Sequence, residues 1–201
     1  MIDLKEQEKR FKNHIATLAD YGNIKVLDFK APETNDYRIR FLFEEDYCKL
    51  HISGDLGYLI ATNYNNMTYD NFDCYIDNVG YFRGKIDCTS RKIYRYNENL
   101  ARKDLLGYIK EYEMEDSFKR AYDWGPEEES VEDIMYRIFE DFSEENGIGQ
   151  KGYECVYYYI DDFGDFAGNL GKESTGIIEL YLLAFKLAKE QVEKGRKKIV
   201  I

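Results

Sequence analysis

The sequence predicts an α+β protein: an N-terminal antiparallel sheet with helices, followed by a helical, acidic C-terminal region. Two observations predict this class. Short apolar segments with period-two alternation fill the first half of the chain, and their connections are too short for parallel crossovers. Longer segments with apolar residues at helical spacing dominate the second half. The chain has 201 residues, 44% of them hydrophobic and only two of them proline, so it can bury a sizeable core.

The strands are predicted from the alternation of apolar and polar side chains. The clearest strand covers residues 37–43, in which apolar residues alternate with Arg38 and Arg40. The Gly-Asp-Leu-Gly connection at residues 54–57 is a tight turn, so the strands on either side of it are antiparallel neighbours. We expect a sheet of four to six strands. The other predicted strands lie at residues 24–29, 48–52 and 58–62, with one or two more within 85–96.

The helices are predicted from apolar spacing and from capping residues. Thr68 is a candidate N-cap, and Gly22 is a stop signal after the first helix. The first half of the closing helix is apolar nearly all round, which places it at the centre of the core. Residues 152–163 fit a short helix slightly better than a strand, and residues 164–171 fit a loop. Helices are predicted at residues 3–20, 68–79, 98–113, 130–145 and 175–194.

The net charge of −11 is distributed unevenly along the chain. Residues 1–110 carry 17 acidic and 17 basic side chains, whereas residues 111–170 carry 18 acidic and 4 basic ones. We therefore divide the chain into an α+β sheet region, residues 1–110, and an acidic helical region, residues 111–201. The alternative is one compact domain that contains both regions.

The acidic stretch has two interpretations. It is either a solvated face that keeps the protein soluble or a surface for a strongly basic partner. Carboxylates on a rigid helix can imitate phosphates, and the seven tyrosines of residues 111–170 would add stiff, amphipathic contact area. The candidate partner-binding residues are Glu127, Glu128, Glu129, Glu132, Asp133, Glu140, Asp141, Asp161, Asp162 and Asp165.

The sequence lacks the residue patterns that enzymes and metal sites need. No His, Ser, Cys or carboxylate group has the spacing of a catalytic mechanism, so we predict no catalytic residue, no cofactor and no metal site. The chain has two histidines, and its cysteines show no C-x-x-C spacing, so we expect reduced, unpaired thiols. The four cysteines are Cys48, Cys74, Cys88 and Cys155.

The location and the partners follow from charge and hydropathy. The N-terminal residues do not form a signal peptide, and no window is apolar enough to span a bilayer. We therefore expect a cytoplasmic protein without membrane contact. The negative charge disfavours direct binding of nucleic acid.

Two segments of the chain are distinctive in combination. One is His51-Ile-Ser-Gly-Asp-Leu-Gly57, ahead of a strand and a helix that ends in Tyr81-Phe82. The other is the closing-helix segment Tyr181-Leu-Leu-Ala-Phe-Lys-Leu-Ala-Lys-Glu-Gln191. Both resemble segments of small proteins of phages and mobile elements of Gram-positive bacteria. These motifs are structural and carry no catalytic residue.

In its acidic, tyrosine-rich composition the chain also resembles anti-CRISPR proteins, which bind and block nucleic-acid-handling nucleases. The two resemblances together imply an inhibitor of a bacterial defence protein. Its partner would be a basic nucleic-acid-binding protein of the host, foremost an RNA-guided nuclease. The alternative is a non-catalytic structural or regulatory module of a mobile element, with a homodimer as one of its forms.

Overall fold

The computed structural model describes residues 3–34, 36–113, 131–159 and 164–197, and it confirms the α+β class. The contacts group the chain into two compact units. The sheet unit comprises Met1–Ile93 and Thr175–Ile201, and the helical unit comprises Tyr94–Ser174. The sheet unit is therefore discontinuous, because the closing helix returns to it. The domain boundary after residue 110 stays a prediction, since a compact unit need not fold alone.

An antiparallel sheet of six strands forms the base of the sheet unit. Each strand pairs with the next one along the chain, so the spatial order is the sequence order. All the strands predicted before residue 63 are confirmed, and β6 confirms the first strand predicted within 85–96. The strands are β1 (Ile15–Asp20), β2 (Ile24–Lys30), β3 (Ile39–Glu44), β4 (Lys49–Gly54), β5 (Gly57–Thr62) and β6 (Ile86–Thr89).

The closing helix, Ile177–Lys197, packs against the sheet and supplies much of the core. The Phe185 ring lies 5.5 Å from Phe41, 5.9 Å from Phe43 and 4.7 Å from Phe72, centroid to centroid. The predicted central place of the closing helix in the core is confirmed. Its start was predicted too early, because the Thr175 hydroxyl donates to the Lys92 carbonyl rather than capping the helix.

The helix predicted at residues 3–20 is wrong beyond its first turns. Helix α1 covers only Leu4–Arg10, and residues 15–20 form strand β1. The spacing of Phe11, Ile15 and Leu18 fits a helix, but the same segment pairs along its whole length with β2. Long-range pairing of this kind overrides local periodicity.

The helix predicted at residues 68–79 is also wrong. A single 3₁₀ turn, Phe72–Tyr75, precedes a short helix α2, Val79–Arg83. The side chain of Asn78 accepts a hydrogen bond from the Tyr81 amide, which starts a new helix where the predicted one would end. The buried Lys189 ammonium also binds the carbonyls of Tyr69 and Asp70, and this contact holds the segment in its irregular form.

The described residues of the helical unit form helices and one two-stranded ribbon. Strand β7 confirms the second strand predicted within 85–96, but its pairing with β8 was not predicted. The next helix confirms the one predicted at 98–113, and Asn97 caps it by accepting from the Leu100 amide. The elements are β7 (Tyr94–Tyr96), α3 (Glu98–Glu111), α4 (Val131–Ile138), α5 (Gln150–Tyr159), α6 (Gly164–Ala167) and β8 (Lys172–Ser174). The closing helix of the sheet unit is α7.

In the helical unit the structure confirms one further sequence prediction and corrects two. The helix predicted at 130–145 ends at Ile138, because the chain turns there to bring Asp141 to the start of α5. The helix favoured within 152–163 is confirmed as α5. The loop predicted at 164–171 is wrong for its first four residues, which form α6.

Candidate functional site

The outer side of α4 combines carboxylates with an exposed tyrosine. Glu132 and Tyr136 are four residues apart on this helix and therefore lie on one stripe. Both side chains are exposed, and Tyr136 is 69% accessible. Ile134 and Ile138 are buried on the opposite side, so packing fixes which side faces outward.

Helix α5 carries a second exposed stripe. The rings of Tyr153 and Tyr157 stack at 15° with centroids 6.4 Å apart, and Tyr157 is 63% exposed. Glu154 is exposed beside them and accepts a hydrogen bond from Gln150. The backbones of α4 and α5 approach closely at Gly152. A Cβ there would lie only 2.0 Å from the Ile138 carbonyl oxygen.

Asp141 has a structural task at this junction. One carboxylate oxygen accepts from the Lys151 amide at 2.9 Å, and the other accepts from the Gly152 amide at 3.2 Å. Amides in the first turn of a helix have no partner inside the helix, so Asp141 caps α5 from a distance. A Cβ on Gly149 would collide with this carboxylate at 2.3 Å, which explains a glycine there.

The candidate partner-binding residues therefore have different surroundings. Glu132, Asp133 and Glu140 are exposed on or just after α4, whereas Asp141 is partly covered. Asp165 lies in α6. Five candidates lie outside the described residues: Glu127, Glu128, Glu129, Asp161 and Asp162.

We call a set of exposed carboxylates and tyrosines of α4, of the turn after it and of α5 the acidic surface. The sequence pattern predicted the role of Glu132 and Glu140 and that of the tyrosines as a group, but it did not single out Glu154 or the second stripe. The helical spacing of Tyr153 and Tyr157 was the signal that could have revealed the second stripe, since residues four apart share a helix face. The acidic surface consists of Glu132, Tyr136, Glu140, Tyr153, Glu154 and Tyr157.

The charge of the chain divides along the same boundary as its contacts. The helical unit carries 21 acidic and 9 basic side chains, a net charge of −12. The sheet unit carries 18 acidic and 19 basic side chains, a net charge of +1. The helical unit therefore attracts basic surfaces, and its tyrosines offer contact area with few rotatable bonds.

Other kinds of site find less support in the described part of the chain. There, no three His, Cys, Asp or Glu side chains are placed to hold a metal ion, and no helix is long and apolar enough to cross a membrane. The four cysteines all lie within it, and none forms a disulfide.

Comparison with known proteins adds no relative. No known family matches the chain, and no match exists among the curated proteins or the solved structures.

Proposed function

We propose that this protein is a stoichiometric, anti-CRISPR-like inhibitor encoded by a phage or a mobile element. It acts in the cytoplasm of the bacterial host and binds a basic, nucleic-acid-handling defence protein, with an RNA-guided nuclease as the target. One observation carries the proposal: α4, α5 and the turn between them expose the carboxylates of Glu132, Glu140 and Glu154 as well as three tyrosines.

The physical argument is competition for a charged groove. RNA-guided nucleases hold guide and target mainly through contacts of basic side chains with the nucleic-acid backbone. The acidic surface offers negative charge on helices whose inner sides are already packed, so little conformational entropy is lost on binding. Charge complementarity also speeds the encounter and rejects acidic partners.

Cleavage of labelled DNA by purified RNA-guided nucleases tests this proposal. We expect at least one nuclease type in a panel to be inhibited completely near a 1:1 ratio. The double variant Glu132→Lys/Glu140→Lys should weaken inhibition by roughly 30-fold or more, equivalent to about 2 kcal/mol, because like charges then face each other. The control is Glu8→Lys/Glu33→Lys, which makes the same charge change at two exposed positions of the sheet unit.

Two results would contradict the proposal. One is full cleavage by every nuclease at a large excess of the protein. The other is equal inhibition by the surface variant and by the control. The acidic surface would then serve solubility, and a structural or regulatory module of a mobile element would be the better account.

A further inference from the structure

We propose that the protein forms a homodimer through the face of the sheet that points away from α7. We call this face the outer sheet face. It consists of the strand side chains that project from the same side of the sheet as Leu42. This inference concerns the sheet unit and goes beyond the proposed function of the acidic surface.

Strand register places one row of side chains across all six strands of the outer sheet face. Side chains that are paired across strands project from the same face. The core row of Leu27, Phe41, Ile52 and Leu59 projects from the opposite face, where these residues are fully or almost fully buried. The outer row, in strand order, is Ala19, Val26, Leu42, His51, Ile60 and Cys88.

The outer row, in the middle of the outer sheet face, is largely apolar and partly accessible. Five of the six residues in the outer row are apolar or a thiol. Ile15, Ile24 and Tyr58 extend the same face and are 52%, 42% and 56% exposed. The rows on either side of the outer row carry mostly polar and charged side chains. An exposed apolar patch with a polar rim is typical of an interaction surface.

The charges on this face balance, which points to a second copy of the chain as the occupant. Two copies of a protein with a net charge of −11 repel each other, and they do so least when they meet through a surface without net charge. A strongly basic partner would instead favour the acidic surface. The charged side chains of the outer sheet face are three acidic ones, Asp28, Glu44 and Asp87, and three basic ones, Lys30, Arg40 and Lys49.

Several of these charges already have partners within the face. Arg40 binds both carboxylate oxygens of Asp28, at 2.7 and 2.9 Å. His51 lies 3.0 Å from a carboxylate oxygen of Glu44. A copy that covers these pairs therefore leaves few charges buried without a partner, which is the costliest way to bury a charged group.

The size of the face fits a weak but specific dimer. Six strands at about 4.8 Å spacing and about six residues each cover roughly 25 by 20 Å, or about 500 Å² per copy. Two copies reach about 1,000 Å², the lower limit for specific interfaces. Association through the β1 edge is blocked at one point, since Gln191 binds the Ala16 amide and the His14 carbonyl at 3.0 Å each.

Sedimentation equilibrium of the full chain tests the dimer at concentrations up to about 100 μM, a range suited to a small interface. We expect a mass of twice 23.8 kDa at the upper end. Leu42→Asp should raise the dimer dissociation constant at least tenfold, because it places like charges face to face in an apolar patch. Leu106→Asp is the matched control on α3, where this leucine is 47% exposed.

Tyr58→Asp is the second variant, because a half-exposed side chain tolerates the change even if Leu42→Asp unfolds. It too should weaken the dimer. A monomeric mass at every concentration overturns the proposal, and so does a dimer that Tyr58→Asp leaves unchanged. The readout is mass rather than nuclease inhibition, so this proposal and the proposed function can fail separately.

Discussion

Tyr181 shows how one buried polar group couples packing to pH. Its side chain is 1% exposed, and its hydroxyl donates to the Leu56 carbonyl at 3.0 Å, which ties α7 to the turn between β4 and β5. Burial raises the pKa of Tyr181 from 10.0 to about 12, because the phenolate would lose its hydration. As the pH rises, the Tyr181 hydroxyl ionises in the unfolded chain before it does so in the folded protein. Its contribution to the free energy of unfolding is therefore complete below about pH 10 and is lost progressively up to about pH 12.

We predict that Tyr181→Phe costs about 1 kcal/mol of unfolding free energy at neutral pH, since the Leu56 carbonyl loses its donor. The same variant should lose less stability than the wild type as the pH rises above 10. Urea denaturation at pH 7 and pH 10.5 measures both effects. Tyr64→Phe, at a 92% exposed side chain, is the control. Equal alkaline losses in the wild type and in Tyr181→Phe would contradict this account.

At the scale of single elements, the neighbouring carboxylates of Glu140 and Asp141 have different roles, because only Asp141 caps α5. Asp141→Ala should destabilise the protein by about 1–2 kcal/mol, because two first-turn amides lose their acceptor. Glu140→Ala should change stability by about 0.5 kcal/mol or less, because its exposed side chain makes only a 3.8 Å ion pair with Lys151. Urea unfolding of the two variants gives the difference directly, and equal effects would remove the capping role from Asp141.

Two glycines should respond to alanine with opposite signs. Gly54 has a φ of 149°, and a Cβ there would lie 1.9 Å from the Arg38 carbonyl oxygen, so Gly54→Ala should cost about 2 kcal/mol or more. Gly107 lies inside α3 with open space around it, so Gly107→Ala should stabilise the protein by about 0.5–1 kcal/mol. Thermal unfolding of both variants tests the pair, and a stabilising Gly54→Ala would refute the turn geometry.

The elements that were predictable from sequence are those whose signal is local. Alternation within residues 37–43 and the helical apolar spacing within residues 98–113 each describe one element, and the structure confirms both. Residues 15–20 were predicted as helix because their pairing with β2 is a long-range contact that periodicity does not contain. The same limit applies to the acidic surface: its charge was evident, but the capping role of Asp141 depends on two amides ten and eleven residues away.

At the scale of the whole molecule, two surfaces of different chemistry serve two proposed roles. The helical unit, at −12, presents carboxylates and tyrosines suited to a basic partner. The sheet unit, at +1, presents the neutral outer sheet face suited to a second copy. A protein with this division can bind its target with one unit and associate through the other.

Competition binding to a purified RNA-guided nuclease tests the central claim most directly. The fluorescently labelled protein is titrated with a nuclease that the cleavage panel shows to be inhibited, with and without target DNA, at low and at raised salt. If the acidic surface occupies the nucleic-acid groove, target DNA and the protein should exclude each other, and affinity should fall about tenfold or more as salt screens the contact. Simultaneous binding of DNA and protein with an affinity that salt leaves unchanged would contradict the claim.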